Sequence, residues 1–119
     1  MPFDEKGDLL ASHFHGRTPN VQATYDALLA LARTFGSVHE DPKKTSIHLV
    51  RRTAFAGVAT RKEALILTVK ADTHLASPRI GKSEQTSKSR WHHEIRLTAP
   101  QEVDDELRHW LERAYELSG

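Results

Sequence analysis

Cysteine is missing from all 119 residues. Its absence excludes a thiol nucleophile, Cys-ligated zinc, an iron–sulfur cluster and a disulfide framework. Glycine and proline are also few, at six and five residues, which removes collagen-like and Pro/Gly-rich disordered readings. No apolar run approaches the ~20 residues of a membrane-spanning helix. The opening MPFDEKGDLL has acids where a secretion signal carries a basic and then an apolar stretch, so a cytoplasmic location with no membrane attachment is expected. What is present, 38% hydrophobic and 28% charged residues, is a globular composition. A chain of this length can bury roughly two-thirds of its unfolded surface around one core without a staple.

A formal net charge of +1 conceals a segregation of charge. Residues 43–96 hold twelve Lys and Arg against four acids, whereas residues 1–42 hold three bases and six acids, and residues 97–119 two and six. Four of the eight histidines, His48, His74, His92 and His93, lie in the basic middle. This arrangement suggests an anionic partner, and it is equally what acidic helices beside a basic sheet would give.

Periodicity places the elements. Leu9, Leu10 and Phe14 approach helical spacing before Gly16, so residues 1–17 read as an extension or short helix ahead of one domain at 18–119. Thr18 as cap and Pro19 in the first turn open a helix whose stripe is Val21, Tyr25, Leu28, Leu29, Ala32 and Phe35, ended by Gly36. The period then becomes two. Strands are expected at Ser37–Asp41, at Thr45–Arg52 with Ile47 and Leu49 opposite Ser46 and His48, and at Thr53–Val58, where Gly57 suggests a bulge or a close backbone approach. ALILTVK at 64–70 reads as a central strand buried on both faces. Asp72–Arg90 is polar and without convincing apolar periodicity, so it reads as a long functional loop. Trp91–Leu97 alternates again, with Trp91, His93, Ile95 and Leu97 on one face and His92, Glu94 and Arg96 on the other. Thr98 with Gln101, Pro100 and a run of acids predicts a capped helix with the stripe Val103, Leu107, Trp110, Leu111 and Ala114. Strands between flanking helices define an α+β fold: an N-terminal helix, an antiparallel sheet of four to five strands, and a C-terminal helix.

Two clusters carry the candidate chemistry. Lys43, Lys44, Ser46, His48 and Arg52 surround the first clear strand, and Lys88, Arg90, Trp91 and His92 lead into the last. Lysine supplies a mobile charge, arginine a bidentate fork and serine a neutral donor, the mixture that phosphate oxygens accept. Trp91 could stack on a base or serve as a buried sheet tryptophan. His92 and Glu94 share a face as a possible acid–base pair, whereas His93 fits a hydrogen-bonded core histidine. No P-loop, H-E-x-x-H or G-x-S-x-G pattern occurs, and neither metal nor cofactor is expected.

At KKTSIHLVRRTAFAGV (43–58) and SKSRWHHEIRLTAPQEVDDELRHWLERAYELSG (87–119), the chain resembles a bacterial domain family of unknown function, with similarity from about Thr18 onward. Members stand alone or form the C-terminal domain of larger nuclease-associated or transport-related proteins. The resemblance implies a small α+β domain, similar in element order to YdhG and MmcQ/YjbR-like families. The latter share a double-wing arrangement with a phage DNA-binding domain. The leading expectation is a non-enzymatic module whose basic face binds DNA or RNA. The alternatives are a pocket for a small phosphorylated or carboxylated ligand, and a protein–protein interaction domain.

Overall fold

The computed structural model describes residues 5–119, with side chains from Gly7 onward; residues 1–4 of the expected N-terminal extension lie outside the described residues. Helices α1 (Glu5–Ser12) and α2 (Pro19–Arg33) precede six strands, β1 (His39–Pro42), β2 (Ile47–Val50), β3 (Ala54–Thr60), β4 (Leu65–Ala71), β5 (Ile80–Ser87) and β6 (Arg90–Leu97). A 3₁₀ turn (Pro100–Glu102) and helix α3 (Asp105–Glu116) complete the chain. The strands form one antiparallel sheet in the order β1-β2-β3-β4-β6-β5. The expected α+β class therefore holds, with six strands in place of the expected four to five. Among the described residues, no helix is long and apolar enough to cross a membrane.

Helices α2 and α3 lie across one face of the sheet. Val21, Tyr25, Leu28, Leu29 and Ala32 of α2, and Leu107, Leu111, Ala114 and Tyr115 of α3, are buried. Against them stand Ile47, Leu49, Phe55, Val58, Leu65, Leu67, Val69, Ile95 and Leu97. Removal of this apolar surface from water supplies the main driving force for folding. Among the described residues, no helix layer covers the opposite face. Helix α1 instead lies beside β1, where the His13 ring nitrogen Nε2 meets the Lys43 carbonyl at 2.7 Å and Phe14 packs on Tyr25.

Several local expectations are corrected. The polar loop expected over Asp72–Arg90 contains β5, whose residues from Gly81 onward are exposed on both faces. Its pairing with β6 comes from backbone groups, so its side chains show no alternation. The ALILTVK strand is buried on one face, not two: Leu65, Leu67, Val69 and Ala71 point into the core, and Ile66, Thr68 and Lys70 are half-buried on the other side. Thr18 makes no side-chain cap; it presents an extended backbone to α2, and its amide donates to the Lys62 carbonyl at 2.8 Å. The final helix begins at Asp105, later than Thr98 and Pro100 suggest. Asp104 is its cap, accepting from the Leu107 amide at 3.2 Å. Glu102, not Gln101, folds back on the preceding turn, accepting from the Thr98 amide at 2.6 Å, the Thr98 hydroxyl at 2.8 Å and the Ala99 amide at 3.0 Å. Gly36 follows α2 with φ +149°, and a Cβ there would lie 2.5 Å from the Tyr115 hydroxyl. That hydroxyl donates to the Ser37 carbonyl at 2.9 Å and ties the α2–β1 connection to α3.

Candidate functional site

Antiparallel register aligns residues of like parity into rows on the open face. Asp41, His48, Gly57, Thr68, Glu94 and Lys82 follow one another across the six strands, and Lys70, His92 and Glu84 form a neighbouring row. The β2–β3 register shifts between Leu49 and Val50, so Phe55 is the extra residue of a bulge between Ala54 and Ala56 and turns into the core, where its ring meets Tyr115 edge-on. The small residues Ala54, Gly57 and Ala59 leave a depression of about 270 Å³ on this face. Ser46, His48, Thr68, Lys70 and His92 furnish its polar lining. Gly57 provides floor space without steric necessity, since a Cβ there would stand 3.9 Å from the His48 ring.

Lys70 runs to the end of the sheet, where its amine donates to the Ser118 hydroxyl at 2.8 Å and the Thr53 hydroxyl at 3.3 Å. Partial burial, and next the charge of Arg90, pull this amine below the usual lysine range. Among the described residues it has no carboxylate partner. Other cations are answered by acids: Lys43 by Asp41 at 3.0 Å, Arg33 by Glu40 at 3.5 Å, and Arg113 by Asp72 at 2.7 Å. Arg79 meets Asp104 at 2.8 Å and Glu106 at 3.3 Å, and it donates to the Glu102 carbonyl at 2.6 Å. Part of the basic middle segment is thus neutralised by the acidic flanks. An ammonium has three donors, so Lys70 keeps one beyond its two hydroxyl partners.

The two sequence clusters meet only in part. Ser46 and His48 from the first come together with His92 from the second. Lys43 and Lys44 sit at the β1–β2 turn, whereas Arg52, Lys88 and Arg90 sit at the β2–β3 and β5–β6 connections, at the other end of the sheet. Arg52 and Lys88 are exposed, and Arg90 is close enough to Lys70 to influence its ionisation. Trp91 lies on the face opposite His92: its ring stacks on His93 with centroids 5.8 Å apart and meets His74 edge-on at 5.0 Å. His93 is fully buried, with Nδ1 2.8 Å from the Ser83 hydroxyl and Nε2 near the Thr73 carbonyl and the Leu75 amide. It therefore fills the core role expected of it. His92 and Glu94 share the open face, and neither makes a side-chain hydrogen bond among the described residues. Lys70 was hidden by the apolar letters around it; the signal that marks it is its spacing of two from Thr68 in an alternating strand.

Fold and surface together define a class: a two-layer α+β domain with helices on one side of an antiparallel sheet and, on the other, a depression with a mainly apolar floor and a few polar side chains around it. The chain belongs to the family described as a domain of unknown function, DUF5655, whose model matches residues 10–118. No curated protein and no solved structure is significantly similar to it.

Proposed function

We propose that this domain is a non-enzymatic binding module, cytoplasmic and bacterial in setting, that takes a compact anionic ligand with a phosphate or carboxylate group into the open-face depression. The observation that carries this reading is Lys70, a cation with no counter-carboxylate among the described residues, at the edge of a cavity that His48, His92, Ser46 and Thr68 also line. An anion there would accept hydrogen bonds from a charged donor and several neutral ones. On the β5 side, Glu84 stands opposite His92 and Glu94 opposite Lys82, so negative charge borders the depression and limits how far an anion can spread. A second reading, binding of a DNA or RNA backbone, is supported by the cations at both ends of the open face, Lys44 at one and Arg52, Lys88 and Arg90 at the other. A strand of seven residues separates those ends by roughly 20 Å, room for several phosphates.

Thermal shift and calorimetric titration with inorganic phosphate, nucleoside monophosphates and citrate test the first reading. A ligand that binds the folded state raises the melting temperature with concentration. Lys70→Met and His92→Ala are each expected to weaken binding by about tenfold or more, the cost of a hydrogen bond to a charged group. Anisotropy with labelled DNA and RNA at two salt concentrations tests the second: Lys44→Ala and Arg90→Ala then lower both affinity and salt slope. If no small anion shifts the melting temperature and no nucleic acid binds at low salt, both readings fall.

A further inference from the structure

The sheet has two edges, and they are treated differently. β1 is four residues long, ends at Pro42, carries the Asp41–Lys43 ion pair and lies beside α1. Those are devices that discourage pairing with another strand. β5 is eight residues long and pairs with β6 on one side only, and from Gly81 to Ser87 all its side chains are exposed. Its register shifts at Ile80/Lys82 and Gln85/Ser87, and between those points Lys82–Gln85 runs regularly. Lys82 and Glu84 project on the open face, and neither forms an ion pair among the described residues.

We propose that two copies of this chain pair through β5 in an antiparallel, two-fold arrangement centred on Ser83. Self-pairing of one strand has few solutions that keep side chains on their own faces. A dyad at Ser83 sets Lys82 opposite Glu84 of the second copy, twice by symmetry, so both charges on each strand are answered. Moving the dyad by one residue either way sets Lys82 against Lys82 or Glu84 against Glu84, which repel. Charge complementarity thus selects one register. The result is a continuous twelve-stranded sheet built from the six strands of each copy. Since the dyad is normal to the sheet, both open-face depressions lie on the same side.

Sedimentation velocity over a concentration series tests this pairing, and the variants are informative because both side chains are exposed. The wild type is expected to show a concentration-dependent dimer. Lys82→Glu and Glu84→Lys each convert two attractive contacts into two repulsive ones and should weaken dimerisation by about tenfold or more. Mixing the two variants should recover a dimer, because every facing pair is then of opposite charge; the double exchange Lys82→Glu with Glu84→Lys should recover it as well. Thermal melts confirm that each variant is folded. A wild type that stays monomeric at the highest attainable concentration overturns the proposal. So does a dimer indifferent to both single changes, or one that neither the mixture nor the double exchange restores.

Discussion

His92 and His93 are neighbours in sequence and belong to different environments. His93 points toward the helices, is fully buried and has its ring nitrogens matched by Ser83, Thr73 and Leu75. His92 points the other way, is exposed, and with His48 and Lys70 is one of the polar side chains that line the open-face depression. The same division runs through β2, β4 and β6. On the covered face, apolar side chains interlock with α2 and α3; on the open face, His48, Thr68, Lys70 and Glu94 remain half in water. The covered face supplies stability, and the open face is free to carry polar groups whose purpose is not packing. Burying such groups without partners would cost more than most surface contacts return, so unpaired polar side chains gather on the face that α2 and α3 leave open.

The strongest test of this division changes adjacent residues of β4. Leu67→Ala removes a fully buried side chain and is expected to cost about 2–5 kcal/mol in chemical denaturation. Thr68→Ala, on the other face, should cost under ~1 kcal/mol; equal losses would break the comparison. The histidines sharpen it. His93→Ala leaves a cavity and unmatched polar neighbours, for an expected loss of about 1–3 kcal/mol, whereas His92→Ala should stay within ~0.5 kcal/mol and show its effect on anion binding.

Acid addresses the covered side more gently. Arg113 holds Asp72 below the usual carboxylate range, and Arg79 does the same for Asp104, helped by the Leu107 amide. Hydrogen bonds from Thr98 and Ala99 lower Glu102. These carboxyls ionise more readily folded than unfolded. Their stabilisation is therefore complete above the unfolded values near pH 4 and is lost as pH falls through the lowered folded values. Melting temperatures measured from about pH 6 down to pH 3 should fall, and Arg79→Met should make the fall shallower. Solvent reaches all of these groups, and screening keeps the contribution of each ion pair small.

Much of the division was legible before any coordinates. Period two in IHLV and WHHEIRL separates Ile47 and Leu49 from His48, and His93 and Ile95 from His92, with the faces observed. β5 was illegible for a physical reason: an edge strand solvated on both sides has no apolar face to write into its sequence, and GKSEQTS resembles a loop. Lys70 was concealed in ALILTVK, where a run of apolar letters suggests double burial although Ile66 and Thr68 lie on the open side. The residue that folds back on the turn is Glu102 and not the expected Gln101, one position on, and a 3₁₀ turn intervenes between Thr98 and α3.

Parity along a strand is local, set by the alternation of Cβ positions, and so the sequence by itself determined which side chains share a face in β2 and β6. It determined the helices by their stripes and the α+β class by the order of elements. Which strands lie side by side depends on pairing between distant segments, and no local pattern encodes it. Only the tertiary structure decided that β6 inserts between β4 and β5 and so brings His92 beside Lys70, that Lys43 and Lys44 stand at the opposite end from Lys88 and Arg90, and that β5 is left as an open edge.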